Sequence, residues 1–196
     1  MKLDLSADAV LSTTRAVRKR LDLDEPVEMS VLRECLEVAL QAPTGSNAQG
    51  WQFVLVTDPE KRARIGELYR SAFEGYRKMP ASAHAIAEVH RDADKAQQER
   101  VIDSAEYLAT NLHRVPVFLI PCVEGRVDGA TGPMANIAQA SVFGSIIPAA
   151  WSFMLAARER GVGTAWTTLH LIQEKAVAEL LGIPYDEVMQ VALIPC

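Results

Sequence analysis

A polar segment, "TGSNAQG" (residues 44–50), contains residue types that bind polar ligands, and it separates a helical stretch from an apolar run. Its hydroxyl and amide groups come from Thr44, Ser46, Asn47 and Gln49. A helix-to-strand connection usually needs only about two to six residues, so residues 42–50 exceed a plain turn. The same residue types occur in long turns, where Asn and Ser bond to their own backbone. The segment is therefore either a ligand-binding loop or a long turn.

A basic segment, "TTRAVRKRL" (residues 13–21), lies near the N-terminus of an acidic chain. Arg15 and Arg18 are three residues apart, so on a helical turn they would share one face and could grip one phosphate. Thr14 would add a hydroxyl to such a site. Most charged runs are only a solvated face, and the spacing leaves both interpretations open.

A third segment, "ERGVGTAW" (residues 159–166), follows the most apolar stretch of the chain. Gly161 is typical of the residue that ends a helix. Gly163 and Thr164 are not explained by a helix end followed by a strand, so they are further candidates for close approach to a ligand.

Other catalytic chemistries find little support in the sequence. The four histidines have no metal-ligand spacing with one another or with a cysteine, so no metal site is expected. The glycines of "GRVDGATGP" fit neither a dinucleotide fingerprint nor a P-loop. There is no G-x-S-x-G motif, and no cysteine lies in a recognisable catalytic motif. If the protein is an enzyme, a cofactor is expected to supply the chemistry.

Composition restricts the class of protein. A formal net charge of −5 argues against a general binder of nucleic acids or anionic membranes. Three widely spaced cysteines do not form a disulfide framework, which favours a reducing, cytoplasmic location. The N-terminus lacks the basic start of a signal peptide, and we expect no apolar run of the roughly 18 residues that span a membrane.

The elements that must position these segments follow from hydrophobic periodicity and turn signals. Apolar spacing of three and four predicts a helix over residues 28–41, and Asp58 with Pro59 begins another. Residues 83–114 predict one or two polar helices, and residues 134–160 an apolar helix containing Pro148. Four strands are predicted, beginning at "WQFVLV", "PVFLIPCVE", "GVGTAWTTL" and "VMQVALIPC". A helix over "QEKAVAELLGIP" precedes the last strand. This order predicts a single α/β or α+β domain, residues 1–196, with a mixed sheet.

The ordered segments resemble the FMN-dependent nitroreductase family. The resemblance rests on "RAVRKRL", "APTGSNAQGWQFVLV", "SVFGSIIPAAWSFMLAARERGVGTAW" and "LLGIPYDEVMQVALIPC". It covers residues from about Thr13 to Cys196 and weakens between about residues 75 and 115. It implies an α+β fold with a mixed sheet flanked by helices. It also implies a homodimer joined through long helices, with FMN in two clefts at the interface.

The resemblance also assigns roles by position. Arg15 and Arg18 would hold the FMN phosphate, and Ala16 stands where the family commonly has Ser. Part of the loop over residues 44–50 would reach the cofactor held by the other subunit. The full set implied to bind the cofactor is Arg15, Ala16, Arg18, Thr44, Ser46, Asn47, Gln49, Ile147, Pro148, Gly163 and Thr164. Relatives typically continue into a C-terminal basic segment, so the resemblance also implies that this extension is missing.

The activity implied is an FMN-dependent oxidoreductase that takes electrons from NADH or NADPH. Its acceptors would be nitroaromatics, quinones or similar molecules, and hydride transfer to them would follow a ping-pong mechanism. Arg70 would be a possible positive neighbour of the flavin. Two alternatives stay open, namely a dehalogenase or flavin-consuming relative and a protein that binds flavin as a carrier or sensor without catalysis.

Overall fold

The structure is a computed structural model, and it describes residues 2–80, 82–89 and 92–196. The described residues form seven α-helices and four strands. In chain order these are α1 (Ala7–Thr13), α2 (Met29–Ala39), β1 (Trp51–Val56), α3 (Pro59–Tyr76), α4 (Ala83–Val89), α5 (Asp92–Asn111), β2 (Phe118–Glu124), α6 (Ala135–Glu159), α7 (Glu174–Leu181), β3 (Val188–Gln190) and β4 (Ile194–Pro195). Helices therefore dominate an α+β architecture, as the sequence predicts.

The helix start predicted at Asp58 is confirmed by its hydrogen bonds. The Asp58 carboxylate accepts from the backbone amides of Glu60 and Lys61, at 2.9 and 3.0 Å, while Pro59 occupies the first helical position. These bonds satisfy amides that the helix itself leaves without acceptors. At its other end, α3 stops at Tyr76, four residues before Pro80.

The sheet is built on β2, which pairs with β1 on one side and with β3 and β4 on the other. All of these ladders are antiparallel. In the described part of the chain, parallel pairing is limited to an isolated bridge between Gly125 and Val188. The mixed character predicted for the sheet is thus confined to that one bridge.

The strand predicted over "GVGTAWTTL" is wrong, because this segment forms only one bridge to the sheet. Thr167 and Leu193 exchange two backbone hydrogen bonds, of 3.0 and 2.8 Å, and only a long bond of 3.4 Å from the Ala165 amide to the Pro195 carbonyl continues the pairing. The single strand predicted over "VMQVALIPC" is also wrong, because it divides into β3 and β4. Cys122 faces Gln190 while Leu119 faces Ile194, so one extra residue lies between the two pairings. Such a bulge frees Leu193 to pair with Thr167.

Side chains of β2 alternate between two layers of the core. Phe118, Ile120 and Cys122 pack with residues of α3 and α5 such as Ile65 and Leu108. The intervening side chains lie on the opposite face, where Leu119 packs with Leu32 of α2 and Phe153 of α6. The period of two is the geometry of a strand buried on both faces. The sheet therefore separates the α3–α5 layer from the α2–α6 layer.

The sequence expectation that no apolar stretch is long enough to span a membrane is wrong for α6. This helix has 25 residues, and an 18-residue window within it has a mean hydropathy of 1.6. The Ile, Val, Phe, Leu, Met and Ala residues of α6 produce this value, while its Ser and Gly residues lower it. The helix packs on α2 and contributes Ile146, Phe153 and Met154 to the core.

Candidate functional site

The loop over residues 44–50 has an unusual backbone. It contains a short 3₁₀ turn, Gly45–Asn47, and three of its non-glycine residues adopt left-handed backbone. Their φ angles are 53° at Ser46, 54° at Asn47 and 51° at Gln49. Such conformations are uncommon for residues with a Cβ atom, although Asn tolerates them better than most. The strained conformations therefore lie at residues beside the two glycines of the loop.

Internal hydrogen bonds hold this loop together. The backbone amide of Gln49 donates to the Thr44 hydroxyl at 3.1 Å, and the Gln49 side-chain amide donates to Asn47 Oδ1 at 2.9 Å. The side chains of Ser46, Asn47 and Gln49 remain exposed. The long-turn interpretation accounts for the internal bonds. It does not account for three exposed polar residues in left-handed backbone.

The loop is seated on the first half of α6. The amide of Gly45 donates to the Ser145 hydroxyl at 3.0 Å. A Cβ atom at Gly45 would lie 2.4 Å from the Ser141 hydroxyl oxygen, so a larger residue here would require the Ser141 side chain to rotate. Loop and helix enclose a cavity of about 110 Å³ that Ile146 also lines. Of the apolar residues assigned to the flavin ring, Ile147 is 42% exposed and Pro148 is half-buried on the same helix.

The basic segment leaves the helix at Thr14 and turns at residues 18–20, which corrects the expectation that Arg15 and Arg18 share a helical face. Helix α1 ends at Thr13, and Thr14 has a ψ of 129°. The amide of Val17 then donates to the carbonyl of Thr164 at 2.8 Å. In extended backbone, successive side chains point to opposite sides. Arg15 and Val17 therefore point to one side, and Ala16 and Arg18 point to the other. Nothing in the sequence marked the switch at Thr14.

The suggested role of Thr14 as a phosphate ligand is also corrected by the structure. Its side chain is buried, and its hydroxyl donates to the carbonyl of Val10 at 2.6 Å. The hydroxyl therefore completes the end of α1 and is turned away from solvent. Arg15 lies beside it, with Nη1 donating to the carbonyls of Ser12 and Thr14 at 2.9 and 2.8 Å.

Arg18 lies on the α3–α5 side of the chain, in a polar group that also contains Tyr69, Ser104 and Thr167. Its Nη1 lies 3.5 Å from the Ser104 hydroxyl, a weak contact. Tyr69 is buried, and its hydroxyl lies 2.8 Å from the Thr167 hydroxyl. Burial raises the pKa of Tyr69, while the Thr167 hydrogen bond and the positive charge of Arg18 oppose that rise. The guanidinium is thus close enough to act on Tyr69, yet only loosely held.

Tyr69, Ser104 and Thr167 were missed as site residues in the sequence. Tyr69 lies among the apolar residues of α3, and Thr167 belongs to the segment predicted as a strand. A buried tyrosine usually has a hydrogen-bond partner, and this requirement was the only feature of the sequence that could have indicated a polar group near Tyr69. Arg70, named as a possible positive neighbour of a flavin, donates instead to the carbonyl of Thr110 at 3.2 Å.

Gly163 and Thr164 have a packing explanation. A Cβ atom at Gly163 would lie 3.0 Å from Val17 Cγ1 and 3.1 Å from Leu21 Cδ2. Thr164 is buried, and its carbonyl accepts from Val17. The helix end predicted at Gly161 is confirmed by its φ of 75°. The glycine therefore lets the N-terminal segment lie against the chain that follows α6.

The buried thiols of Cys35 and Cys122 and the buried His170 imidazole are poorly suited to act as a catalytic nucleophile or base. Burial raises the pKa of Cys35 to about 11 and that of Cys122 to about 12, so both stay protonated at neutral pH. Burial also lowers the pKa of His170 to about 3, so its imidazole is neutral. Residues 2–80, 82–89 and 92–196 contain no group of three or more His, Cys, Asp or Glu side chains placed to hold a metal.

The nitroreductase family model matches residues 11–195, so the chain belongs to the nitroreductase family. The resemblance inferred from the sequence motifs is therefore confirmed.

Known proteins resemble the chain along most of its length. A chloronitrobenzene nitroreductase of Comamonas testosteroni is 26% identical over 189 residues, covering 87% of this chain and 78% of that protein.

Solved structures show the same fold. The FMN and NADPH-dependent nitroreductase NfnB from Sphigopyxis sp. strain HMH superposes with a TM-score of 0.64 at 21% identity, covering 97% of this chain and 87% of that one. An oxidised iodotyrosine deiodinase bound to FMN and 3-iodo-L-tyrosine has a TM-score of 0.64 at 20% identity, covering 95% and 85%. The α+β nitroreductase-like fold is thereby established.

Proposed function

We propose that the protein is an FMN-dependent NAD(P)H oxidoreductase, a cytoplasmic homodimer that reduces nitroaromatics, quinones or similar acceptors by a ping-pong mechanism. The observation that carries the proposal is the strained polar loop over residues 44–50, seated on α6 of a nitroreductase-family chain. The chloronitrobenzene nitroreductase and the NfnB structure support this reaction class.

The backbone of the loop supports a ligand-binding role. Left-handed backbone costs a residue such as Ser46 or Gln49 on the order of 1 kcal/mol, and strain of this kind clusters at ligand sites. The loop keeps hydroxyl and amide groups exposed, and these suit the polar edge and ribityl chain of FMN. Interaction with the cofactor would offset the conformational cost.

A second protomer would complete the site. The cavity between the loop and α6 is about 110 Å³, whereas small-molecule sites usually enclose about 300–1,000 Å³. Beside it, α6 exposes an apolar stripe, defined by Ile137, Ala140, Gly144, Ile147 and Trp151. The spacing of three and four places these residues on one face. An exposed apolar helix face of this kind is typical of a subunit interface. A second protomer packed on this stripe would add further walls to the cavity between the loop and α6 and so enlarge the enclosed space.

Arg18 is our candidate for the FMN phosphate. Its guanidinium has no carboxylate partner in the described residues, and its only side-chain hydrogen bond there is the weak one to Ser104. A guanidinium can donate two parallel hydrogen bonds to phosphate, which makes a loosely held arginine suitable. Ala16 lies on the same side of the extended segment and offers no hydroxyl. The phosphate would therefore depend more heavily on Arg18.

Bound FMN would supply the redox chemistry, because it accepts and donates hydride equivalents that no protein side chain can carry. The protein would supply binding and orientation. The hydroxyl pair of Tyr69 and Thr167 would fix the wall beside Arg18, and the loop amides would hold the ring edge. Exposed Ile147 and half-buried Pro148 would give the ring an apolar surface.

Flavin binding and turnover test the proposal together. Quenching of FMN fluorescence during titration should saturate at one FMN per protomer. Steady-state rates with NADPH and a quinone or nitroaromatic should give parallel double-reciprocal lines, since both substrates use one site in turn. Saturable FMN binding without turnover would identify a flavin-binding protein that is not a reductase. Absence of FMN binding would remove the proposal.

A further inference from the structure

A second cavity, of about 310 Å³, lies between the N-terminal segment and the end of α6. It forms because the chain after α1 runs back against the residues that follow α6. The amide of Leu3 donates to the carbonyl of Glu159, and that of Val17 to the carbonyl of Thr164, both at 2.8 Å. At the base of this cavity, Gly163 lets Val17 of the N-terminal segment lie against the chain that follows α6. We name this space the arginine cavity.

Three guanidinium groups line the arginine cavity, from Arg15, Arg20 and Arg158, and its lining contains no carboxylate. In the described residues neither Arg20 nor Arg158 forms an ion pair. Other arginines do, including Arg160 with Glu34 at 2.9 Å and Arg126 with Glu174 at 2.7 Å. The chain has a net charge of −5, so a cavity lined by three arginines without ion-pair partners is a local exception to its acidic character.

A structural role explains two of the three. Arg158 lies in the last turn of α6, where a positive charge stabilises the helix end. Arg15 is fixed by its bonds to the carbonyls of Ser12 and Thr14, both made through Nη1, so its other nitrogens stay available. Arg20 has no hydrogen-bond partner in the part of the chain that the structure describes. Positive charges brought together in this way repel one another unless an anion lies between them.

We propose that the arginine cavity binds the phosphate group of a phosphorylated small molecule. Three positive charges match a group carrying two or more negative charges better than a single carboxylate. A neighbouring cavity of about 250 Å³ shares Arg20 and the chain over residues 161–163, and its lining adds the apolar side chains of Val27 and Val31 together with acidic residues. The acidic residues are Asp22, Glu25 and Glu28, so the part of the ligand that enters this cavity would carry no negative charge. The phosphate would lie among the arginines, and the organic part would extend toward these valines.

This site is separate from the one proposed for FMN. Arg15 and Val17 face the arginine cavity, whereas Arg18 lies beside Ser104 and Tyr69. The inference does not depend on the oxidoreductase activity, because binding is measured without turnover.

Isothermal titration calorimetry with inorganic pyrophosphate tests the proposal, with acetate as the monoanion control. The protein saturated with FMN should bind pyrophosphate saturably and acetate at least about tenfold more weakly. Arg20→Gln and Arg158→Gln should each weaken pyrophosphate binding by about tenfold. Arg33→Gln, an exposed change on α2, should leave it unaltered, and circular dichroism should show all variants folded.

Three results would overturn the inference. One is the absence of saturable pyrophosphate binding. Another is equal affinity in the Arg33→Gln, Arg20→Gln and Arg158→Gln proteins. The third is pyrophosphate binding to the FMN-free protein that disappears when FMN is added, since the anion would then occupy the flavin site. FMN binding that fails while pyrophosphate binding persists would remove the proposed function and leave this inference standing.

Discussion

Replacing Arg18 by alanine should weaken FMN binding, and Arg15 provides the matched control. The Arg18 guanidinium is half-buried and lies at the 3.5 Å limit of a hydrogen bond to Ser104, so it gives up little when it turns to a phosphate. A charge-assisted hydrogen bond contributes about 1.5–3 kcal/mol, which corresponds to about 10- to 150-fold in affinity. Partial exposure favours the lower half of that range, because solvent screens the interaction.

Arg15→Ala removes the same charge from a position three residues earlier, on the opposite side of extended backbone. Its effect on FMN affinity should stay within about twofold, as for a surface substitution. Fluorescence titration with FMN measures both variants, and pyrophosphate titration of the same proteins should show the reverse order. Equal losses of FMN affinity in the two variants would refute the argument from side-chain direction. An unchanged affinity in Arg18→Ala would remove that residue from the FMN site.

Three further changes test other parts of the account. Gly144→Glu should convert the dimer to a monomer in light scattering, because a charge would enter the apolar stripe of α6. Gly75→Glu, also on an exposed helix face with open space around it, should leave the dimer intact, and a dimeric Gly144→Glu protein would contradict the interface. Gly163→Ala should lower the free energy of unfolding by about 1–3 kcal/mol through overpacking against Val17, whereas Gly75→Ala should raise it by about 0.5–1 kcal/mol; equal effects in denaturant titrations would disprove the packing role. His170 takes up a proton more readily unfolded, with a pKa of 6.5, than folded, with a pKa of about 3. The stability contributed by neutral His170 is therefore present above about pH 6.5 and is lost progressively toward pH 3. Urea titrations should show a shallower loss in His170→Leu over this range, and parallel pH profiles would contradict the assignment.

The sequence predicted most helices and the two long strands, because these elements carry strong local signals. The apolar spacing over residues 28–41 and the Asp58–Pro59 pair identified α2 and the start of α3. The apolar runs beginning at Trp51 and Pro116 identified β1 and β2. Such patterns depend only on neighbouring residues, so they could be found without knowledge of the fold.

The parts that the sequence did not predict depend on distant contacts. Thr167 pairs with Leu193 only because a bulge separates β3 from β4, and nothing local marks either event. The extended backbone after Thr14 is fixed by the bond from Val17 to Thr164, a partner far along the chain. The Tyr69–Thr167 hydroxyl pair likewise joins α3 to the segment after α6. Those long-range contacts decide which side of the chain Arg15 and Arg18 occupy.

Anaerobic stopped-flow mixing of the FMN-loaded protein with NADH or NADPH tests the central claim most directly. The visible absorption of the bound flavin should bleach in a saturable reaction, much faster than for free FMN under the same conditions. A quinone or nitroaromatic added in a second mixing step should restore it. A bound flavin that is reduced no faster than free FMN by either nicotinamide would contradict the assignment as an NAD(P)H oxidoreductase.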